Sequence, residues 1–168
     1  MVDEWGGIDE GIQDIVSALN ALGITTTGSC EGHTGRSSPA PWVKVTAPHK
    51  PKGIAHDAEA YQNWQLENER LREKTLELLK EFYSDRDVTS DLRIVIGNAN
   101  AGFWIHNGGD AYDRFRELVA ETVAKIQRGE KVRGSISAEE RERRTQMLPQ
   151  YQKEMEAFTE FLKTKLSI

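Results

Sequence analysis

Two pairs of short β-forming runs constrain this chain more than any other feature, because each pair is split by a breaker-rich loop and each is followed by a helix opening Asp-Ala. Ile24-Thr25-Thr26-Thr27 is dense in β-branched residues and predicts a strand running into a glycine turn, with Trp42-Val43-Lys44-Val45-Thr46 as its partner. Leu92, Ile94 and Ile96 alternate with Arg93 and Val95, and Gly97-Asn98-Ala99-Asn100 then supplies a turn before Phe103-Trp104-Ile105-His106. Helices start at Asp57-Ala58 and Asp110-Ala111. Two ββα units related by a twofold axis would place the tip of one hairpin beside the base of the other, bringing Cys30 and His33 toward His106. Independent use of common helix starts explains the same match.

The remaining pattern is helical. Ile8, Ile12, Ile15, Val16, Leu19 and Leu22 recur at three- and four-residue steps, so residues 8 to 22 form an amphipathic helix stopped by Gly23. Asp57 is the expected N-cap of a long helix reaching about Ser84, with a stripe of Tyr61, Trp64, Leu71, Leu78 and Phe82 that Asn68 and Thr75 interrupt. Tyr112, Phe115, Leu118, Val119, Thr122 and Ile126 are the expected buried face of the helix from Asp110, which ends near Gly129. After a linker from Lys131 to Ile136, Ser137-Ala138-Glu139-Glu140 matches a capping box, and Pro149 should kink or divide the final helix. The predicted fold is α+β: two β-hairpins forming a mainly antiparallel four-stranded sheet, covered by the helices from 8 and 110. The helices from 57 and 137 pack outside or extend away. Residues 1-134 make the α+β domain, and 135-168 a C-terminal helical extension packed on it or projecting from it.

A net charge of -5 argues against broad binding to nucleic acid or an anionic membrane, and no apolar run approaches the ~18 residues of a membrane span. A single cysteine forms no intramolecular disulfide, and Met1-Val2-Asp3-Glu4-Trp5 lacks a basic then apolar leader, so the cytoplasm is the expected compartment. Trp42, Trp64 and Trp104 are interleaved with few cations and are expected in the core rather than on a base-stacking platform. The long helices offer a route to homo-oligomers.

Chemistry concentrates in Thr26-Thr27-Gly28-Ser29-Cys30-Glu31-Gly32-His33, which sets the lone cysteine three residues from a histidine. Thiolate and imidazole bind transition metals and form covalent intermediates near neutral pH. As a metal site, Cys30 and His33 are half a ligand set, to be completed by His106, His49, His56 or Glu31. Zinc is the cofactor such a set admits, and the cysteine count excludes cysteine-rich structural zinc. As a nucleophile, Cys30 fits G-x-C-x-G in letters, but the breaker-rich stretch from His33 to Pro41 cannot form the helix such an elbow requires. His33 or His106 would then have to activate the thiol. As an anion site, the turn offers backbone N–H groups, Ser29 and the guanidinium fork of Arg36. A small buried cysteine at a strand end, beside a turn histidine, is the reading without chemistry.

The residues Leu19, Leu22, Gly23-Ile24, Thr26, Ser29-Cys30 and Gly32-His33, with a proline before the next strand, resemble a segment of small prokaryotic and phage proteins of unknown function. More distantly, the Ser-Cys-x-Gly segment is similar to one in the methyltransferase-like family that acts late in wybutosine synthesis on transfer RNA. That family has Arg where this chain has His33. The resemblance covers residues 19 to 45 and implies an α+β domain in which Ser29, Cys30 and Gly32 contribute to a ligand or catalytic pocket.

Together these readings describe a small ligand-binding protein or enzyme. Cys30, His33 and His106 are the candidate catalytic and metal residues, and Ser29, Glu31, Gly32 and Arg36 the candidate ligand contacts. The alternatives are a zinc-dependent hydrolase using Cys30, His33 and another histidine, and a non-enzymatic phage or mobile-element protein acting through acidic helices. The partner would be a small molecule or a protein, with nucleic acid and membrane disfavoured.

Overall fold

The computed structural model describes residues 7–52, 58–132 and 136–167. Four strands form one antiparallel sheet: β1 (Thr26–Cys30), β2 (Trp42–Val45), β3 (Ile94–Asn98) and β4 (Phe103–Asn107), in the order β1-β2-β4-β3. The two hairpins therefore meet through β2 and β4, as the paired-hairpin reading requires. The helices are α1 (Gln13–Ala21), preceded by a 3-10 turn at Glu10–Ile12, α2 (Ala58–Phe82), α3 (Asp110–Gln127) and α4 (Ala138–Leu166). Asp57, expected to cap α2, and His56 lie outside the described residues, as does the domain boundary at Gly134-Ser135.

Strand alternation divides the sheet into two unlike faces. Val43, Val45, Phe103, Ile105 and Ile94 point to one side and are fully buried with Ile12, Ile15 and Leu19, which lie on or just before α1, and with Trp64 and Leu71 of α2 and Phe158 and Leu162 of α4. The final helix is thus a core element and not an outlying one. It runs unbroken through Pro149, because Tyr151, Met155, Phe158 and Leu162 anchor the turns beyond the proline. Ser137 caps it as predicted, its hydroxyl accepting from the Glu140 amide at 3.1 Å. The two interruptions in the α2 stripe are also buried. Asn68 Oδ1 accepts from the Ala47 amide at 2.7 Å, and Thr75 Oγ1 donates to the Leu71 carbonyl at 2.8 Å, so each polar group is satisfied locally.

The expectation for α3 is overturned. Only Ala111 of this helix is buried, and Leu118, Val119, Val123 and Ile126 are 40–60% exposed. Its first turns instead approach the second face of the sheet, where Tyr112 stacks on His106 at 4.1 Å. The helix starts at Gly109, whose φ of 79° sets the bend and whose Cβ position would fall 2.4 Å from the Asp91 Cα. The core face is therefore covered by α1, α2 and α4.

Candidate functional site

β1 carries the glycine segment further than the sequence predicts, since Thr27-Gly28-Ser29-Cys30 is strand and the turn begins only at Glu31. Paired registers put Cys30, Trp42, His106 and Val95 in one row across the outer face, and Gly28, Lys44, Trp104 and Gly97 in the next. Trp42 and Trp104 are half-buried on this face, their rings meeting edge-on at 4.6 Å, and are not in the core as expected; Trp64 is.

At the end of β1 three metal-binding atom types converge. One atom each of Asp9, Cys30 and His33 lie within 4.8 Å of one another, with Asp9 Oδ2 3.8 Å from His33 Nε2. Asp9 occupies the N-cap position of the 3-10 turn before α1, yet its carboxylate caps nothing there. It accepts instead from the Glu31 amide at 3.3 Å, while Glu31 Oε2 accepts from the Gly11 amide at 2.9 Å. This reciprocal pair fastens the start of α1 to the turn and brings Asp9 to the sulfur. It also turns the Glu31 carboxylate away from the cluster. Asp9 was missing from the sequence reading, whose only available signal was an aspartate just ahead of a helix, the position of an ordinary cap.

The loop that holds His33 is fixed from behind by α4. Arg144, buried beside Glu140, reaches the carbonyl oxygens of His33, Arg36 and Ser37 from Nη1 at 3.2, 3.1 and 2.9 Å. Gln152 donates to the Glu31 carbonyl at 3.1 Å, and the His33 amide donates to Ser38 at 2.8 Å. Gly32 has φ of 83°, and a side chain there would fall 2.6 Å from Leu148 Cδ1 and 3.0 Å from the Ala40 backbone. Gly32 and Glu31 therefore build the turn, and neither lines the cavity described next. Nothing in the local sequence pointed to Arg144, which lies 111 residues from His33.

The cluster opens on a cavity of about 600 Å³ between the outer sheet face, the 33–41 loop and the start of α3. Cys30, His33, Asp9, Ser29 and Arg36 line it together with Trp42, Trp104, His106, Tyr112 and Phe115. His106 is thus in the same chamber as Cys30, but Trp42 stands between them in the row, which separates the two by about 10 Å at strand spacing. The third member of the Cys30–His33 group is Asp9. His49 is exposed on a separate turn.

Burial pushes the Cys30 thiol above its ordinary value, and the Asp9 and Glu31 carboxylates push the same way against the Gly32 amide and Arg36. The Gly32 N–H lies 3.4 Å from the sulfur. Such a thiol is a poor free nucleophile, whereas a divalent cation would offset both nearby negative charges and favour the thiolate. Burial holds His106 below the ordinary imidazole value. Its Nδ1 is 2.5 Å from the Asn107 carbonyl, which can only accept, so the proton resides on Nδ1 and Nε2 presents a lone pair. Zinc bonds of about 2.0 to 2.2 Å to oxygen and nitrogen place such a pair roughly 3.3 to 3.5 Å apart in a tetrahedron, so the Asp9–His33 pair at 3.8 Å would close by a few tenths of an ångström to share an ion. Among the described residues no helix is long and apolar enough to cross a membrane. Comparison with protein-family models, curated sequences and solved structures returns no match.

Proposed function

We propose that this protein binds a small molecule in the chamber beside β1 and holds a zinc-type divalent cation there with Asp9, Cys30 and His33, as a metal-dependent hydrolase. The observation carrying this reading is the mutual approach of the three ligand atoms within 4.8 Å at the edge of a 600 Å³ cavity. Three protein ligands with a fourth position left for water make the arrangement of catalytic zinc, which lowers the pKa of that water to about 7. The chain's own residues do the rest. Asp9 and Cys30 carry the compensating charge, Arg144 and Gln152 hold the ligand loop, and the aromatic lining limits water.

Elemental analysis and calorimetric zinc titration test it. One equivalent of zinc should bind, and Cys30→Ser, Asp9→Asn and His33→Ala should each weaken binding about tenfold or more while the folded spectrum is kept. Absence of a stoichiometric site in the wild-type protein would remove the metal reading. A second reading, a protein-interaction module, is favoured by one observation: the exposed row Leu118, Val119, Val123 and Ile126 on α3. It predicts that truncating or charging α3 abolishes partner capture while Cys30→Ser has no effect.

A further inference from the structure

Much of the chamber lining is aromatic. Trp42 and Trp104 meet edge-on, His106 and Tyr112 stack at 4.1 Å, and Phe115 stands beside them. The edge strands leave room for these rings. A Cβ at Gly97 would sit 2.8 Å from His106 Nε2, so the imidazole needs glycine beneath it, while the Trp42 ring lies over Gly28 at ordinary contact distance. Flat π surfaces with little aliphatic padding select flat ligands, since ring stacking is insensitive to the identity of the ring.

Charge supplies the second element. Among the described residues lining the chamber Arg36 is the one arginine or lysine; the Lys44 ammonium lies over the Trp104 ring, 5.4 Å from its centroid, and is not part of the lining. Arg36 has no ion-pair partner among the described residues, although its backbone carbonyl is fixed by Arg144. His106 Nε2, with no protein partner among the described residues, offers one acceptor at the aromatic end. A volume near 600 Å³ suits a molecule of one or two fused rings with substituents.

Resting on the pocket assigned above, we propose that the ligand class is a planar aromatic or heteroaromatic anion. Its ring lies against Trp42, Trp104 and the His106–Tyr112 stack, and its carboxylate or phosphate is taken by Arg36.

Binding of three probes to metal-free protein tests this: naphthalene-2-carboxylate, its neutral amide, and cyclohexanecarboxylate, followed through the indole N–H resonances of Trp42 and Trp104. The naphthoate should shift both resonances and bind about tenfold tighter than either comparison compound, the amount a charge-assisted contact or a ring stack supplies. Arg36→Gln, an exposed change that leaves folding intact, should erase the preference for naphthoate over the amide. Trp104→Leu should weaken both naphthalene compounds alike. Equal binding of the three probes, or a preference surviving Arg36→Gln, would overturn the assignment. Zinc stoichiometry, measured by titrating zinc into the same metal-free protein, separates the outcomes. Naphthoate binding without a zinc site leaves the ligand class standing and removes the metal. A zinc site without ring and charge selectivity does the reverse.

Discussion

Arg144 on α4 donates to the backbone carbonyl of Ser37 at 2.9 Å, across 107 residues of chain, and that contact is the centre of the device that shapes the His33 loop. The same nitrogen reaches His33 and Arg36, while Nε bonds Glu140 at 3.1 Å. Ser37 has φ of 50°, a conformation that favours glycine and that the Arg144 contact helps to hold. Removing one member of such a buried pair strands the other. Arg144→Met should therefore cost about 3 kcal/mol in a denaturant melt. Hydrogen exchange should show the His33 amide losing protection well before the sheet. Unchanged protection at His33 would mean the loop is held by other means.

Gly32 is a second test of the turn. Alanine there combines a positive φ, costing about 1 to 3 kcal/mol, with contacts too close to Leu148 and to the Ala40 backbone. Gly32→Ala should destabilise by more than the backbone term alone. Adding Leu148→Ala should fail to restore stability, because the Ala40 backbone remains 3.0 Å away and a cavity is opened. Thermal melts of the single and double variants decide the matter.

The strands and most helix limits were legible because they rest on local periodicity: β-branched runs for the sheet, and Gly23, Gly129 and Ser137 as helix punctuation. Two of the three members of the metal-type cluster were legible too, since Cys30 and His33 are near in sequence. What escaped was non-local. Asp9 reaches the turn only because α1 docks beside β1, and Trp42 and Trp104 leave the core because helix packing covers the other face of their strands. Hydropathy identifies a tryptophan as apolar but not which side of a sheet is left open. The same blindness affected α3 and α4, whose apolar stripes looked alike while only α4 is buried.

The Cys30 thiol gives a pH test free of assumptions about the ligand. With burial raising its pKa, the rate of iodoacetamide alkylation in metal-free protein should rise with pH to a midpoint above the ordinary thiol value. Asp9→Asn removes a carboxylate that disfavours the thiolate, so it should lower that midpoint and quicken labelling at pH 8. Zinc should suppress the reaction in the wild-type chain. A midpoint below the ordinary value would show that an activating cation outweighs burial.

His106 contributes a stability arm of opposite direction. Its folded pKa lies below the unfolded value near 6.5, so on acidification the unfolded chain takes up a proton that the folded chain refuses. Stability is complete above about pH 6.5 and is lost as pH falls through that value and on through the lower folded pKa. His106→Gln should flatten this part of the pH profile relative to wild type, leaving the steeper loss from carboxylates at lower pH. If the two profiles run parallel from pH 7 to 5, the imidazole is not held neutral by its burial.

The exposed row on α3 finally separates a packing role from a surface one. Were Val119 and Ile126 core residues, lysine at either would bury a charge and cost several kcal/mol. At 45% and 60% exposure both lysine heads reach water, so Val119→Lys and Ile126→Lys should each change stability by no more than about 0.5 kcal/mol. Phe115→Ala, on the same helix but lining the cavity, should instead weaken naphthoate binding with only a small loss of stability. Urea melts paired with the probe titration distinguish the two ends of α3, and a large destabilisation from Ile126→Lys would return the helix to the core.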